Sequence, residues 1–346
     1  MLVLGIESTC DETAASVVED GVRVRSNVIA SQDELHREYG GVVPEIASRA
    51  HAERLVPVVE RALADAGCTP DDLDAIGVAN RPGLIGSLLV GVAGAKALAW
   101  SLGLPLIGVD HVRAHLYASA LDADPIAYPA LGLVVSGGHT SLYRCESALD
   151  IGELGSTIDD AVGEAYDKVG AMLGLEYPAG PRVDKLAQTG DERAHEFPVS
   201  RLSAGSLDFS FSGLKTAVLY AIRGVPERTD TGVRFEREFG DLDDAQRAGV
   251  AASFQRAACR AVVVKTQRAA QASPVPYKTL LVGGGVSANQ RLRAELASLA
   301  ADEDLTLRLP ALRYCLDNAA MIAGLAFHRL AQGEADALDL CASPTA

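Results

Sequence analysis

No two cysteines in this sequence stand close together. Cys10, Cys68, Cys145, Cys259, Cys315 and Cys341 are scattered along 346 residues. That spacing excludes a disulfide framework or a zinc knuckle and points to a reducing cytosol. Positive charge is scarce too: 31 Lys and Arg stand against 46 Asp and Glu, a formal net charge of −15. Coating of nucleic acid through general electrostatics is excluded, so any polyanion contact needs a local basic patch or a partner protein. Met1 to Glu7 lacks the basic start and long apolar stretch of a signal peptide. No G-x-x-x-x-G-K-[ST] stretch occurs, and no glycine cluster matches G-x-G-x-x-G opening a βαβ unit. No low-complexity segment stands out. One apolar run, Ile85 to Val109, is long enough to cross a bilayer. Lys96 near its centre would cost on the order of 3 kcal/mol at mid-membrane. Pro105 and several glycines interrupt the run, so it reads as a buried helix followed by a strand, with no membrane span.

What is present is an ordinary globular balance, 48% hydrophobic and 22% charged. The length fits two domains or two lobes. Leu2 to Glu7 reads as a buried strand that breaks at the polar turn Ser8-Thr9-Cys10-Asp11-Glu12. Strands at Thr13–Glu19 and Val22–Ile29 follow, then a helix over Pro44–Ala66 that Pro57 is predicted to kink or divide. A strand at Ala75–Ala79, a helix at Leu84–Leu102, a strand at Leu106–Val109 and a helix from about His111 to Leu121 complete this half. The opening then recurs. Ala130 to Val135 is apolar and breaks at Ser136-Gly137-Gly138-His139-Thr140, with strands at Ser141–Cys145 and Ile151–Leu154 behind it. This is a duplication of pattern rather than of residue identity. Later come a strand at Thr279–Val282 and helices at about Ala288–Ala300 and Asn318–Leu330. The charged stretch Arg223 to Gly240 reads as an exposed loop. Strands alternating with helices predict an α/β fold with ligands at the carboxyl ends of strands. The expected division is an N-terminal lobe, 1–125, carrying an insertion at about 31–66, and a C-terminal lobe, 126–346, carrying a helical insertion at about 157–275.

Three features carry chemistry. The turns Ser136-Gly137-Gly138-His139-Thr140 and Gly283-Gly284-Gly285-Val286-Ser287-Ala288-Asn289 both follow apolar strands. Glycines there let the backbone approach a ligand and aim N–H groups at phosphate oxygens. A single such turn is more often plain punctuation, but two, with the polar turn at Ser8 to Glu12, favour a nucleotide site. Second, His111 and His115 stand four apart on a predicted helix, a spacing that lets two imidazoles share one metal but also occurs in ordinary cores. Third, Asp317, just before the last apolar helix, is either a helix-capping aspartate or a third ligand. Two His and one carboxylate leave coordination positions open, as at non-haem iron or catalytic zinc sites. An H-E-x-x-H protease would need a glutamate where Val112 stands, so peptide hydrolysis is rejected.

Together these stretches resemble the universal tRNA threonylcarbamoyladenosine-transferase family, once mislabelled a glycoprotease. The resemblance lies in Gly5-Ile6-Glu7-Ser8-Thr9-Cys10-Asp11-Glu12-Thr13, Gly40-Gly41-Val42-Val43-Pro44-Glu45, the His111/His115 pair, Val135 to Thr140, Asp159-Asp160, Gly163 to Lys168, Tyr177 to Pro181, Asp208 to Lys215, Gly284 to Asn289 and Asp317 to Met321. The Gly-Gly-Val-Val-Pro-Glu form is closer to the bacterial and organellar branch. The resemblance implies an actin-like, Hsp70-like ATPase fold of two RNase-H-like lobes. It implies transfer of threonylcarbamoyl from threonylcarbamoyl-AMP to adenosine 37 of tRNAs reading codons that begin with A. It also implies a metal, usually iron with zinc as the alternative, on His111, His115 and Asp317. Val134, Val135, Ser136, Gly137, Gly138, Asp167, Gly180, Asp184 and Asn289 would bind the adenylate. Asp11 or Glu12 would accept the amine proton, with His139 beside the reacting groups. The implied partners are tRNA, a paralogous inactive subunit and a small ATPase, in the cytoplasm. Arg81 stands where the family usually has glycine, Val112-Arg113-Ala114 where it has Met-Glu-Gly, and Leu316 where it has threonine. None of these departures removes a ligand, and Arg81 and Arg113 add charge near the expected cleft.

Overall fold

Two five-stranded sheets repeat one strand order in the structure, a computed structural model that describes residues 1–200, 202–203, 205–229 and 232–345. In the first, β1 (Leu2–Glu7) pairs antiparallel with β2 (Glu12–Glu19), and β2 with β3 (Arg23–Ser31). A short helix α1 (Asp33–Arg37) and the long α2 (Pro44–Ala66) lead to β4 (Ala75–Arg81), which lies parallel to β1. Helix α3 (Ile85–Leu102) leads to β5 (Leu106–Asp110), parallel to β4. Helix α4 (His111–Tyr117) follows directly. The second sheet opens in the same way, with β6 (Ala130–Val135), β7 (Thr140–Cys145) and β8 (Ile151–Ser156) as an antiparallel meander. Helices α5 (Val162–Met172), α6 (Gly180–Ala187) and α7 (Ser212–Arg223) come next. A small hairpin of β9 (Glu227–Thr229) and β10 (Gly232–Arg234) and the helix α8 (Asp244–Ala272) follow. Then β11 (Thr279–Gly283), α9 (Gln290–Asp302) and β12 (Thr306–Arg308) add two strands parallel to β6. The orders β3-β2-β1-β4-β5 and β8-β7-β6-β11-β12 correspond strand for strand, so the duplicated pattern of the sequence is a duplicated topology.

The chain ends by returning. Helix α10 (Ala319–Ala331) packs on β1, β2 and β4 of the first sheet, burying Met321, Ile322 and Leu325. Each such side chain contributes roughly 1.5–3 kcal/mol of apolar burial. A Cβ at Gly5 would collide with the Ala319 carbonyl, so this strand position takes no side chain. The sequence reading put residues 126–346 in the C-terminal lobe. In the folded chain α10 lies with the N-terminal sheet, which brings Asp317 towards α4.

Three local expectations change. Helix α2 runs unbroken through Pro57, because its buried face, Ala50, Leu55, Val58, Val59 and Ala62, anchors both halves on the sheet and outweighs one lost hydrogen bond. Helix α3 is buried on one face only. Leu88, Val92, Ala95 and Ala99 meet the sheet, while Ile85, Leu89 and Trp100 are exposed. It is the one helix among the described residues long and apolar enough to cross a membrane. The stretch Arg223 to Gly240, read as a loop, holds the β9–β10 hairpin, and its Asp230 and Thr231 lie outside the described residues.

Candidate metal centre and nucleotide site

Helix α4 begins where β5 ends, and Asp110 caps it by accepting the Arg113 backbone N–H at 3.1 Å. Its first and fifth residues, His111 and His115, share a face, with ring centroids 4.6 Å apart and ring planes at 75°. The helix lies against β11 of the second sheet, where a Cβ at Gly283 would strike the His115 carbonyl. From the other side the segment just before α10 presents Asp317. Its Oδ1 is 3.1 Å from His115 Nε2 and 3.6 Å from His111 Nε2. Ligand atoms of all three residues lie within 4.8 Å of one another. Both ring nitrogens of His115 are buried without a hydrogen-bond partner among the described residues. A buried imidazole left unsatisfied in this way is costly. Nε2 is close to the carboxylate but not aligned to donate to it. Two nitrogens and one carboxylate oxygen converging on a common point fit a divalent transition ion.

Glu7, the acidic end of an otherwise apolar strand, supports this centre. Its Oε2 lies 2.8 Å from His111 Nδ1, and its Oε1 accepts the Thr9 N–H at 2.6 Å. Thr9 Oγ1 is 3.3 Å from the same His111 nitrogen. The carboxylate thus fixes the ring so that Nε2 faces Asp317, the usual arrangement behind a metal-bound histidine. Burial disfavours the cationic ring, but Glu7 and Asp317 outweigh it and hold His111 raised to about 9. Burial likewise opposes the charge on Asp317, and His111 and His115 overcome it to keep that carboxyl well below its ordinary range. No role for Glu7 was legible in the sequence. Its signal was an ionisable residue closing a fully buried strand.

The first turn also presents Asp11 and Glu12, with Asp33 close by. Burial first, then Asp11 and Asp317, push Glu12 upward. A carboxyl raised in this way holds its proton more tightly than an ordinary one. His139 sits in the corresponding turn of the second sheet. Burial and then the His111 and His115 charges lower it to about 4.

The turn after β6 is a closed loop. The Ser136 N–H donates to the His139 carbonyl at 2.8 Å, and the His139 N–H donates to Ser136 Oγ at 3.0 Å. Gly163 of α5 supports it from behind by donating to the Ser136 carbonyl at 3.1 Å. The space in front of Gly137 and Gly138 is open where a Cβ would stand, leaving their amides approachable. Val134 and Val135 are fully buried in β6, so only their backbone could reach a ligand. Asp167 Oδ1 accepts the Ala179 and Gly180 N–H groups at 2.8 and 3.1 Å. Asp184 and Asn289 share a hydrogen-bond partner. Gln255 of α8 joins them, donating to Asp184 Oδ1 at 3.0 Å and accepting from Asn289 Nδ2 at 3.1 Å. Asn289 also caps α9 through the Leu292 N–H at 2.9 Å. Gln255 was not singled out in the sequence; a buried amide on an apolar helix face was the only clue.

A metal-type triad stands beside glycine turns at the ends of β6 and β11. The family model described as tRNA N6-adenosine threonylcarbamoyltransferase matches residues 23–324. The chain belongs to the tRNA N6-adenosine threonylcarbamoyltransferase family. A relative of that name from Anaeromyxobacter dehalogenans is 49% identical over 345 residues, covering 99% of this chain and 98% of its own. Another, from Moorella thermoacetica, is 49% identical over 342 residues, covering 99% and 96%. Among solved structures, component A of the (R)-2-hydroxyglutaryl-CoA dehydratase of Acidaminococcus fermentans aligns with a TM-score of 0.52 at 12% identity, covering 96% of this chain and 99% of that one. The activator of the 2-hydroxyisocaproyl-CoA dehydratase from Clostridium difficile, solved with bound ADPNP, aligns at 0.50 and 12%, covering 97% and 99%. These likenesses concern the fold alone, and the fold is the two-lobed α/β architecture of the actin-like ATPases.

Proposed function

We propose that the protein transfers the threonylcarbamoyl group of threonylcarbamoyl-AMP to N6 of adenosine 37 in tRNAs that read codons beginning with A, forming threonylcarbamoyladenosine. The observation that carries this reading is the convergence of His111, His115 and Asp317 beside the open turn at Gly137 and Gly138, in a chain of this family. In the reaction the N6 nitrogen attacks the carbamoyl carbon, the bond from that carbon to the AMP phosphate oxygen breaks, and the N6 proton leaves. AMP is a good leaving group, so no covalent enzyme intermediate is required.

The task is therefore positioning, which supplies roughly 7 kcal/mol or more in favourable cases. Gly137 and Gly138 present amides to developing negative charge. Asp167, Gly180, Asp184 and Asn289 hold the adenylate, the last two kept in register by Gln255. Asp11 accepts the amine proton, and neutral His139 borders the acyl group without adding a charge. His111, His115 and Asp317 hold one divalent metal, iron first and zinc as the alternative. Such an ion polarises a carbonyl or phosphoryl oxygen as a Lewis acid.

The proposed setting is the cytoplasm, with a paralogous inactive subunit and a small ATPase as partners. The exposed Ile85, Leu89 and Trp100 on α3 offer an apolar surface to such a subunit. Mass spectrometry of tRNA nucleosides from cells depleted of the protein tests the reading. The modified nucleoside should fall, and an unchanged level rejects the assignment.

A further inference from the structure

A cavity of about 440 Å³ opens beside His139 and reaches Gly138 of the turn assigned to the adenylate. Its walls come from both lobes. Arg81, Asp110 and Arg113 stand on one side, and His139, Tyr143 and Glu153 on the other. None of Asp167, Gly180, Asp184 or Asn289 lines it. The volume lies in the range of sites for small organic ligands and suits a single nucleotide.

The cavity lining carries two arginines and two carboxylates, but they are not paired off evenly. Asp110 is already engaged twice. Its Oδ1 caps α4, and its Oδ2 lies 3.5 Å from Arg81 Nε. The half-buried Arg113 guanidinium has no carboxylate partner among the described residues, although its backbone N–H does. An unpaired guanidinium at the mouth of a nucleotide-sized cavity is a fork for a phosphate oxygen pair. Tyr143 and the neutral His139 give the cavity ring surface, and flipped-out RNA bases stack on such surfaces. Glu153, exposed at the rim, is an acceptor for a ribose hydroxyl.

We infer that this cavity receives one unstacked nucleotide of the acceptor RNA, with Arg113 and Arg81 holding its phosphate. The inference rests on the transfer reaction proposed above. It adds where the acceptor enters: through the cavity between Arg81 and Arg113 and the β7–β8 hairpin, which meets the adenylate turn at Gly138 and His139. It also bears on the charge problem of a chain with a formal net charge of −15, because Arg113 offers a local cationic contact that no carboxylate among the described residues neutralises.

The test uses the full-length protein with its partner subunits and unmodified tRNA. Arg113→Ala and Arg81→Ala should each raise KM for tRNA by about tenfold. Each should flatten the slope of log affinity against log salt by about 0.7, the value for one lost single-strand phosphate contact. Bound metal and affinity for AMP should stay at the wild-type level, which a merely structural defect would not allow. Arg81 lies on β4, outside the helix that carries the His pair, so its variant decides the matter if Arg113→Ala disturbs the metal. Unchanged tRNA affinity and salt slope in the Arg81→Ala/Arg113→Ala double variant would overturn the inference while leaving the transfer reaction standing. Wild-type protein that neither binds nor modifies tRNA would remove the reaction itself, and the cavity assignment with it.

Discussion

The two lobes share a strand order and put different chemistry at the same place in it. After β1 the turn carries Ser8, Thr9, Asp11 and Glu12, and Glu7 at the strand end grips His111. After β6 the equivalent turn carries Gly137 and Gly138, whose exposed backbone leaves room for a ligand. One lobe contributes acids and hydroxyls that support a metal-type centre, while the other contributes amides and open space. Each also hides a buried polar residue that organises its half: Glu7 behind His111, and Gln255 between Asp184 and Asn289. On the function proposed above, a duplicated scaffold would separate holding a metal from holding a nucleotide, because loop residues can diverge while the sheet that carries them stays packed.

The comparison can be broken most decisively at the centre. His111→Ala/His115→Ala should lose bound metal and transfer activity together, measured by elemental analysis and by nucleoside mass spectrometry. A metal-free double variant with full activity would refute the role assigned to the pair. Next in size is Glu7→Gln, which keeps the shape but removes the charge on His111. Metal affinity should fall about 10- to 100-fold, read by competition with a chelator, with AMP affinity unchanged. A parallel loss of AMP binding would show that the two halves are not separate. Gln255→Leu should do the converse. It leaves Asp184 and Asn289 each short of a partner and should weaken AMP binding by about tenfold, read by calorimetry, at unchanged metal content. Loss of metal in that variant would contradict the division between lobes.

Much of the architecture was readable along the chain. The strands β1, β6 and β11 are short apolar runs, each ended by polar or glycine turns, and their period and punctuation revealed the duplication. The His111/His115 spacing placed both rings on one helix face before any fold was known, since that follows from helical geometry alone. Other features were hidden for physical reasons. Pro57 reads as a breaker, yet the apolar face of α2 has a whole sheet to hold it. The small β9–β10 hairpin sits in a charged stretch whose composition resembles a loop. Gln255 looks like any polar residue of a long helix until α6 and α9 are packed beside it.

Local sequence by itself determined most strands of the two sheets, the helices α2, α3, α4, α9 and α10, the open turn at Gly137 and Gly138 and the pairing of the histidines, because each depends on residues a few positions apart. Only the tertiary structure decided that α10 crosses back to the first sheet and delivers Asp317 to rings about 200 positions earlier. It likewise decided that Glu7 stands behind His111 and that Arg81 and Arg113 share a cavity with the β7–β8 hairpin. Those meetings depend on how buried faces pack, and packing joins residues that no periodicity along the chain can connect.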